Sequence, residues 1–276
     1  MPSQSSKTVI ISGGTDGMGR ATALRRLARG DRVMVIGSSG TKGRALLEEA
    51  DDPKLTFVRA DLSSIAETER VIARIGEQYD AVDALGLFAN RISTERRETA
   101  EGLEYTFALY YLSRYLLSHR LRPLLDAGRD PVIINVAGVG NTAGAVQWDD
   151  PQLTRRYGQV RAQLHAGRAN DLLGVAFAAQ ADSKARYILY HPGFTRSGAD
   201  GHPNPVARGA IKALGRLFAR PVPEAVRPIV EWIDHPPKDA LSAIDRGKPV
   251  AKSLRTLDPT AAVRLAAYTE DLIRGV

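Results

Sequence analysis

The sequence predicts an α/β fold, a doubly wound parallel sheet in a single domain, and three observations carry that expectation. Short apolar runs bounded by turn signals alternate with longer stretches of helical period, the pattern of successive βαβ units. The first such run passes straight through a glycine cluster into a helix. The chain is 276 residues long, enough for one full core, and no linker-like stretch or internal repeat divides residues 1–276.

In chain order, Val- and Ile-rich runs predict strands at Thr8 to Ser12, Arg32 to Ile36, Leu55 to Arg59, Ala84 to Ala89, Pro131 to Val136 and Arg186 to Tyr190. Between them, helical periodicity predicts Met18 to Arg29, Lys42 to Glu49, Ser64 to Tyr79, Ala100 to Leu125 and a long helix ending near Ala181. Within the fourth helix Phe107, Tyr110, Tyr111, Arg114 and Leu117 recur at i, i+3 and i+4, a stripe expected to face the sheet. After Tyr190 the regularity breaks at Pro192, Gly193, Gly198, Gly201, Pro203 and Pro205, too long a loop for a simple connection. Residues 194–232 are therefore expected to form a helical lid over a substrate, with helices at Val206 to Phe218 and Pro223 to Trp232. A C-terminal extension closes with a helix over Pro259 to Ile273.

Composition narrows the function classes. Hydrophobic residues make up 43% and charged residues 25%, so the chain can form a packed core. A formal charge of +7 invites a nucleic-acid reading, but Arg25-Arg26, Arg96-Arg97 and Arg155-Arg156 are isolated pairs with no basic run or interleaved aromatics. No nucleic-acid partner is expected. The chain has no cysteine, which excludes disulfides, thiolate metal sites and a thiol nucleophile. The five histidines, at 119, 165, 191, 202 and 235, show no ligand spacing with carboxylates, so no metal is expected. No apolar run reaches the roughly 18 residues of a membrane span, and the start is polar. The expectation is a cytoplasmic chain with no membrane partner.

The strongest local motif is Thr8 to Arg20. Gly13 permits a tight turn, Gly17 lets backbone approach a pyrophosphate, Gly19 allows close helix packing, and the free N–H groups of the new helix face an anion. This strand-turn-helix is the signature of a Rossmann-type dinucleotide site. An acidic residue at the end of the second strand would grip the 2′-hydroxyl of NAD; the chain reads Ile36-Gly37-Ser38-Ser39-Gly40 instead. Ser38 and Ser39 can donate to a 2′-phosphate, with Arg20 or Lys42 as sources of charge, so NADP(H) is expected in preference to NAD(H).

The spacing Gly-x3-Gly-x-Gly, preceded by Ser12, resembles the short-chain dehydrogenase/reductase family. Asp61-Leu62 after the third strand, Ala89-Asn90 ending the fourth and Pro192-Gly193 after the sixth agree with it. The segment His165-Ala166-Gly167-Arg168-Ala169-Asn170 is similar to the retinol dehydrogenase-like branch. The resemblance implies cofactor contacts from Ser12, Gly13, Thr15, Asp16, Gly17, Met18, Gly19, Arg20, Ser38, Ser39, Asp61, Leu62, Ala89, Asn90, Pro192, Gly193 and Thr195. It also implies a Tyr acid, a Lys four residues on, a Ser that polarises a carbonyl, and a structural Asn. Here those positions read Gln163, Gly167, Gly138 and Tyr110, so the tetrad is degenerate.

Candidates for the missing proton donor are Tyr157 in Tyr157-x3-Arg161, Tyr110 and Asn141; His165 is a weaker base candidate, more often a packed histidine. Three functions stay open at this point. One is an NADPH-dependent reductase of a small apolar carbonyl or enone in specialised metabolism, using an unusual donor. A second is a non-redox cyclase, dehydratase or isomerase on the same fold, and a third is a non-catalytic NADP(H)-binding protein. The sequence leaves a homo-oligomer open.

Overall fold

In the computed structural model the described residues are 6–193 and 221–276. Eight strands form one sheet: β1 (Thr8–Ser12), β2 (Arg32–Gly37), β3 (Leu55–Arg59), β4 (Ala84–Leu87), β5 (Val132–Val136), β6 (Arg186–His191), β7 (Leu241–Asp245) and β8 (Lys248–Pro249). Their spatial order is β3-β2-β1-β4-β5-β6-β7-β8; all neighbours are parallel except β7 with the short edge strand β8. The order reverses between β1 and β4, so the chain is doubly wound about that point and a crevice opens beyond the strands' C-terminal ends.

Helices cover both faces. One face carries α1 (Gly17–Leu27), α2 (Gly40–Ala50) and α8 (Val222–Asp234); the other carries α3 (Ile65–Gln78), the α4–α5 segment, α7 (Gln159–Ala178) and α9 (Pro259–Arg274). β1 shows why the strands read as continuous apolar runs. Val9 and Ile11 pack with the first set and Ile10 with the second, each fully buried. Between the α1 and α8 helices, the buried Arg26 guanidinium bonds Asp31 at 2.5 Å and Asp234 at 2.6 Å.

Several boundaries differ from the sequence expectation. The strand from Ala84 stops at Leu87 rather than Ala89, because the chain must turn there to skirt the glycine loop. The helix expected over Ala100 to Leu125 starts only at Tyr105, where Glu104 caps it by accepting from the N–H groups of Thr106 and Phe107. It runs as α4 (Tyr105–Phe107), a π-helical stretch Ala108–Leu112, α5 (Ser113–Arg120) and, after Leu121, α6 (Arg122–Ala127). The strands β7 and β8 went unforeseen; Leu241-Ser-Ala-Ile-Asp has too little β-branched character to stand out, and pairing with β6 defines it. Of the expected lid, 194–220 lies outside the described residues. Helix α8 buries Ala225, Val226, Ile229, Val230 and Ile233 as part of the core.

Candidate active site

The glycine turn sits in the crevice at the β1/β4 reversal. Ser12 ends β1 fully buried, and the N–H groups of Gly13 and Gly14 donate to the Ile36 carbonyl, bending the chain toward β2. Gly13 has φ +69°, and a Cβ there would lie 2.6 Å from the Ala89 nitrogen. A Cβ on Gly19 would lie 2.3 Å from the Gly13 carbonyl oxygen. The turn is therefore built without side chains, and Gly17 at φ +52° opens α1. Asp16 caps that helix, accepting from Gly17 N–H, and its carboxyl is held below the ordinary range first by its hydrogen bond from Lys42. Thr15 lies against Gly37 at the end of β2, and Met18 packs beneath the turn. The arrangement fits a dinucleotide pyrophosphate: a backbone cradle that a Cβ would fill, at the start of a helix.

At the adenosine end, the expected sources of charge are otherwise engaged. Arg20 is paired with Glu49 and Lys42 with Asp16. Ser39 caps α2 by accepting from Lys42 N–H, leaving Ser38 exposed. The sequence reading missed Arg44 and Arg59. Around Gly40, Arg44 Nη1 lies 3.5 Å and Arg59 Cδ 3.7 Å from where a Cβ would stand, and neither guanidinium has an ion pair among the described residues. Two like charges converge there from α2 and β3, with no carboxylate between them. Asp61 accepts from Ser63 N–H and hydroxyl, and Leu62 is buried in the core. Pro192 and Gly193 follow β6, Gly193 at φ +87°; Thr195 lies outside the described residues.

At the other end of the crevice the candidate donors separate. The Tyr157 hydroxyl donates to the Ser93 carbonyl at 2.8 Å, which ties it to a loop. Asn141 accepts from Ala143 N–H with its own side chain and so shapes its turn. His165 is buried, stacked on Phe107, accepts from Gln147 N–H and contacts the Pro151 carbonyl. Burial pushes its pKa down to about 4, so it stands neutral as a structural bridge.

Tyr110, by contrast, is buried near the C-terminal end of β5, with the guanidinium carbon of Arg114, which bonds Asn135 and the Val136 carbonyl of that strand, 4.6 Å from its ring centroid. It lies in the π-helical stretch, an irregularity common at functional sites. Its carbonyl accepts from Asn170 Nδ2 at 2.7 Å, and Asn170 Oδ1 accepts from Asn135. Asn135 in turn accepts from Arg114, which also donates to the carbonyls of Ala89 and Val136, both at 2.9 Å. This fully buried network was not read from sequence. Gln163 and Asn90 exchange side-chain amide hydrogen bonds of 3.0 and 3.3 Å across the crevice mouth. Among the described residues, a Cβ added at Gly138 or at Gly167 would meet nothing within 4 Å.

A glycine cradle at the reversal of a doubly wound sheet defines a dinucleotide-binding α/β protein. Residues 7–149 match the short chain dehydrogenase family model, and the chain belongs to the short-chain dehydrogenase/reductase family, whose members bind NAD(P)(H). It is 30% identical over 194 residues to oxidoreductase AN1596 of Emericella nidulans, covering 67% of this chain and 57% of that one. It is 27% identical over 197 residues to retinol dehydrogenase 13 of Homo sapiens, covering 69% and 60%. The matches thus span less than two thirds of either relative. The fold superposes on the crystal structure of an uncharacterized protein from Mycobacterium Paratuberculosis with a TM-score of 0.76, at 20% identity over 99% of this chain and 96% of that one. Among the described residues no helix is long and apolar enough to cross a membrane, and no cluster of His, Asp and Glu could hold a metal.

Proposed function

We propose that this chain is an NADP(H)-dependent oxidoreductase that reduces the carbonyl of a small apolar substrate, with Tyr110 as proton donor. The observation that carries the reading is the meeting, at the C-terminal ends of β1, β4 and β5, of the glycine cradle with a buried phenol beside open space at Gly138. When bound, the cofactor supplies a hydride to the carbonyl carbon. Tyr110 gives its proton to the carbonyl oxygen, the product is an alcohol, and the phenolate recovers a proton from water. The amides of Asn90 and Gln163 orient polar groups at the mouth. Ile92 and Val160, both 64% exposed and two and three residues along the chain from Asn90 and Gln163, support an apolar substrate.

The preference for NADP(H) rests on Ser38, Arg44 and Arg59. Two unpaired guanidiniums beside an exposed hydroxyl suit a phosphate, and no carboxylate ends β2 to hold a free 2′-hydroxyl. Calorimetric titration with NADPH and NADH checks this. NADPH should bind more tightly, and Arg44→Ala with Arg59→Ala should erase the difference; tighter NADH binding in the unaltered chain would overturn it.

One observation favours a second reading. Gly138, Gln163 and Gly167 stand where proton-transfer groups would be expected, which suits a non-redox cyclase, dehydratase or isomerase retaining the nucleotide site. Product analysis separates the two, since a product at a redox level different from its substrate excludes the second.

A further inference from the structure

Arg114 is fully buried, yet among the described residues no carboxylate pairs with it. Its Nη atoms are spent on neutral acceptors, the Asn135 amide and the carbonyls of Val136 and Ala89, and its Nε has no hydrogen-bond partner among the described residues. An uncompensated buried cation is costly. The side chain against which it is stacked is Tyr110, one helical turn earlier, with the guanidinium carbon 4.6 Å from the ring centroid. The Gly138 backbone N–H, just after β5, is a second group that favours negative charge on the Tyr110 oxygen.

We infer that Arg114 is a positioning residue for Tyr110: it fixes the ring and stabilises the ionised hydroxyl, so that this phenol, unlike its buried neighbours, can exchange a proton. The inference deepens the proposed proton-donor role and rests on it. Tyr111 supplies the contrast within the same helix. It is as deeply buried, bonds the Thr269 hydroxyl at 2.7 Å, and has no cation against its ring. Among the described residues, the other charged group acting on Tyr110 is Asp171 of α7, which opposes ionisation and is itself paired with Arg168; from β6, the Tyr187 hydroxyl bonds Asn135 and acts on Arg114. Burial raises the Tyr110 phenol, and the Arg114 charge counters it.

The test uses a fluorinated tyrosine placed at position 110 or 111 of the full chain, titrated by 19F NMR without cofactor or substrate. In otherwise unaltered protein the phenol at 110 should ionise at lower pH than the phenol at 111. Arg114→Gln keeps a donor for the carbonyls but removes the charge. It should raise the midpoint at 110 by about one to three pH units, whereas Arg114→Lys should keep it close to the original. A merely structural Arg114 would lower stability in both variants without separating their midpoints. Equal midpoints at 110 and 111, or no difference between the Gln and Lys variants, would overturn the inference. The first comparison needs no Arg114 variant, so misfolding cannot leave the matter undecided. If the titrations behave as expected while Tyr110→Phe keeps full turnover, the proton-donor reading falls and the Arg114 inference stands.

Discussion

Placing the family's proton-transfer groups where the resemblance assigns them is the sharpest perturbation this site allows: Gly138→Ser, Gln163→Tyr and Gly167→Lys in one chain. Among the described residues, added Cβ atoms at Gly138 and Gly167 meet nothing within 4 Å, and neither glycine is in the left-handed region. Gly167 lies inside α7, where a Lys is better by about 0.5–1 kcal/mol through helix propensity alone. Replacing Gln163 forfeits its amide exchange with Asn90, a partly exposed pair costing about 0.5–1.5 kcal/mol. The two terms nearly cancel, so the melting temperature should move by no more than roughly 2–4 °C. A correctly placed general acid contributes about 10²–10⁴-fold. In a Tyr110→Phe background, which lacks the proposed native donor, the triple variant should therefore oxidise NADPH with a panel of small ketones and aldehydes at least about 100-fold faster than its Tyr110→Phe parent chain. A fall in melting temperature above roughly 10 °C would mean that the space is not open. A folded variant that binds NADPH and stays at the parent rate would mean that these three positions do not face the reacting carbonyl.

Two buried titratable groups make opposite contributions to stability against pH. His165 has its folded pKa lowered to about 4 by burial, so its contribution is present above the unfolded value of 6.5 and is lost as pH falls toward 4. Asp171 has its folded pKa raised to about 7, again by burial, so its contribution is full below 3.8 and is lost as pH rises through 7. Denaturant unfolding between pH 4 and pH 7 should show His165→Gln removing a rise of stability with pH and Asp171→Asn removing a fall; unchanged slopes would refute the assignment. Gly13→Ala forces a Cβ to 2.6 Å from the Ala89 nitrogen at φ +69° and should cost roughly 2–5 kcal/mol in chemical denaturation. It should also abolish calorimetric NADPH binding, and a variant with parental melting and affinity would contradict the cradle.

Much of the fold is legible in sequence because it is dictated locally. The central residues of the runs at Thr8–Ser12, Arg32–Gly37 and Val132–Val136 are apolar because both faces of the sheet are covered, and the glycine turn is visible because only glycine tolerates its φ values and contacts. The site divides along the same line. The missing carboxylate after β2, and the Gly138, Gln163 and Gly167 that the family resemblance sets at its proton-transfer positions, are read from residue identities alone. What stands in their place depends on contacts between residues distant along the chain, and so belongs to the tertiary structure. Arg20 and Lys42 look like free charge until Glu49 and Asp16 fold against them, whereas Arg44 and Arg59 gain meaning only when α2 and β3 bring them together. Tyr157 and Tyr110 are equivalent candidates as letters. Packing ties one hydroxyl to the Ser93 carbonyl and sets the other at the end of β5, with an unpaired guanidinium against its ring.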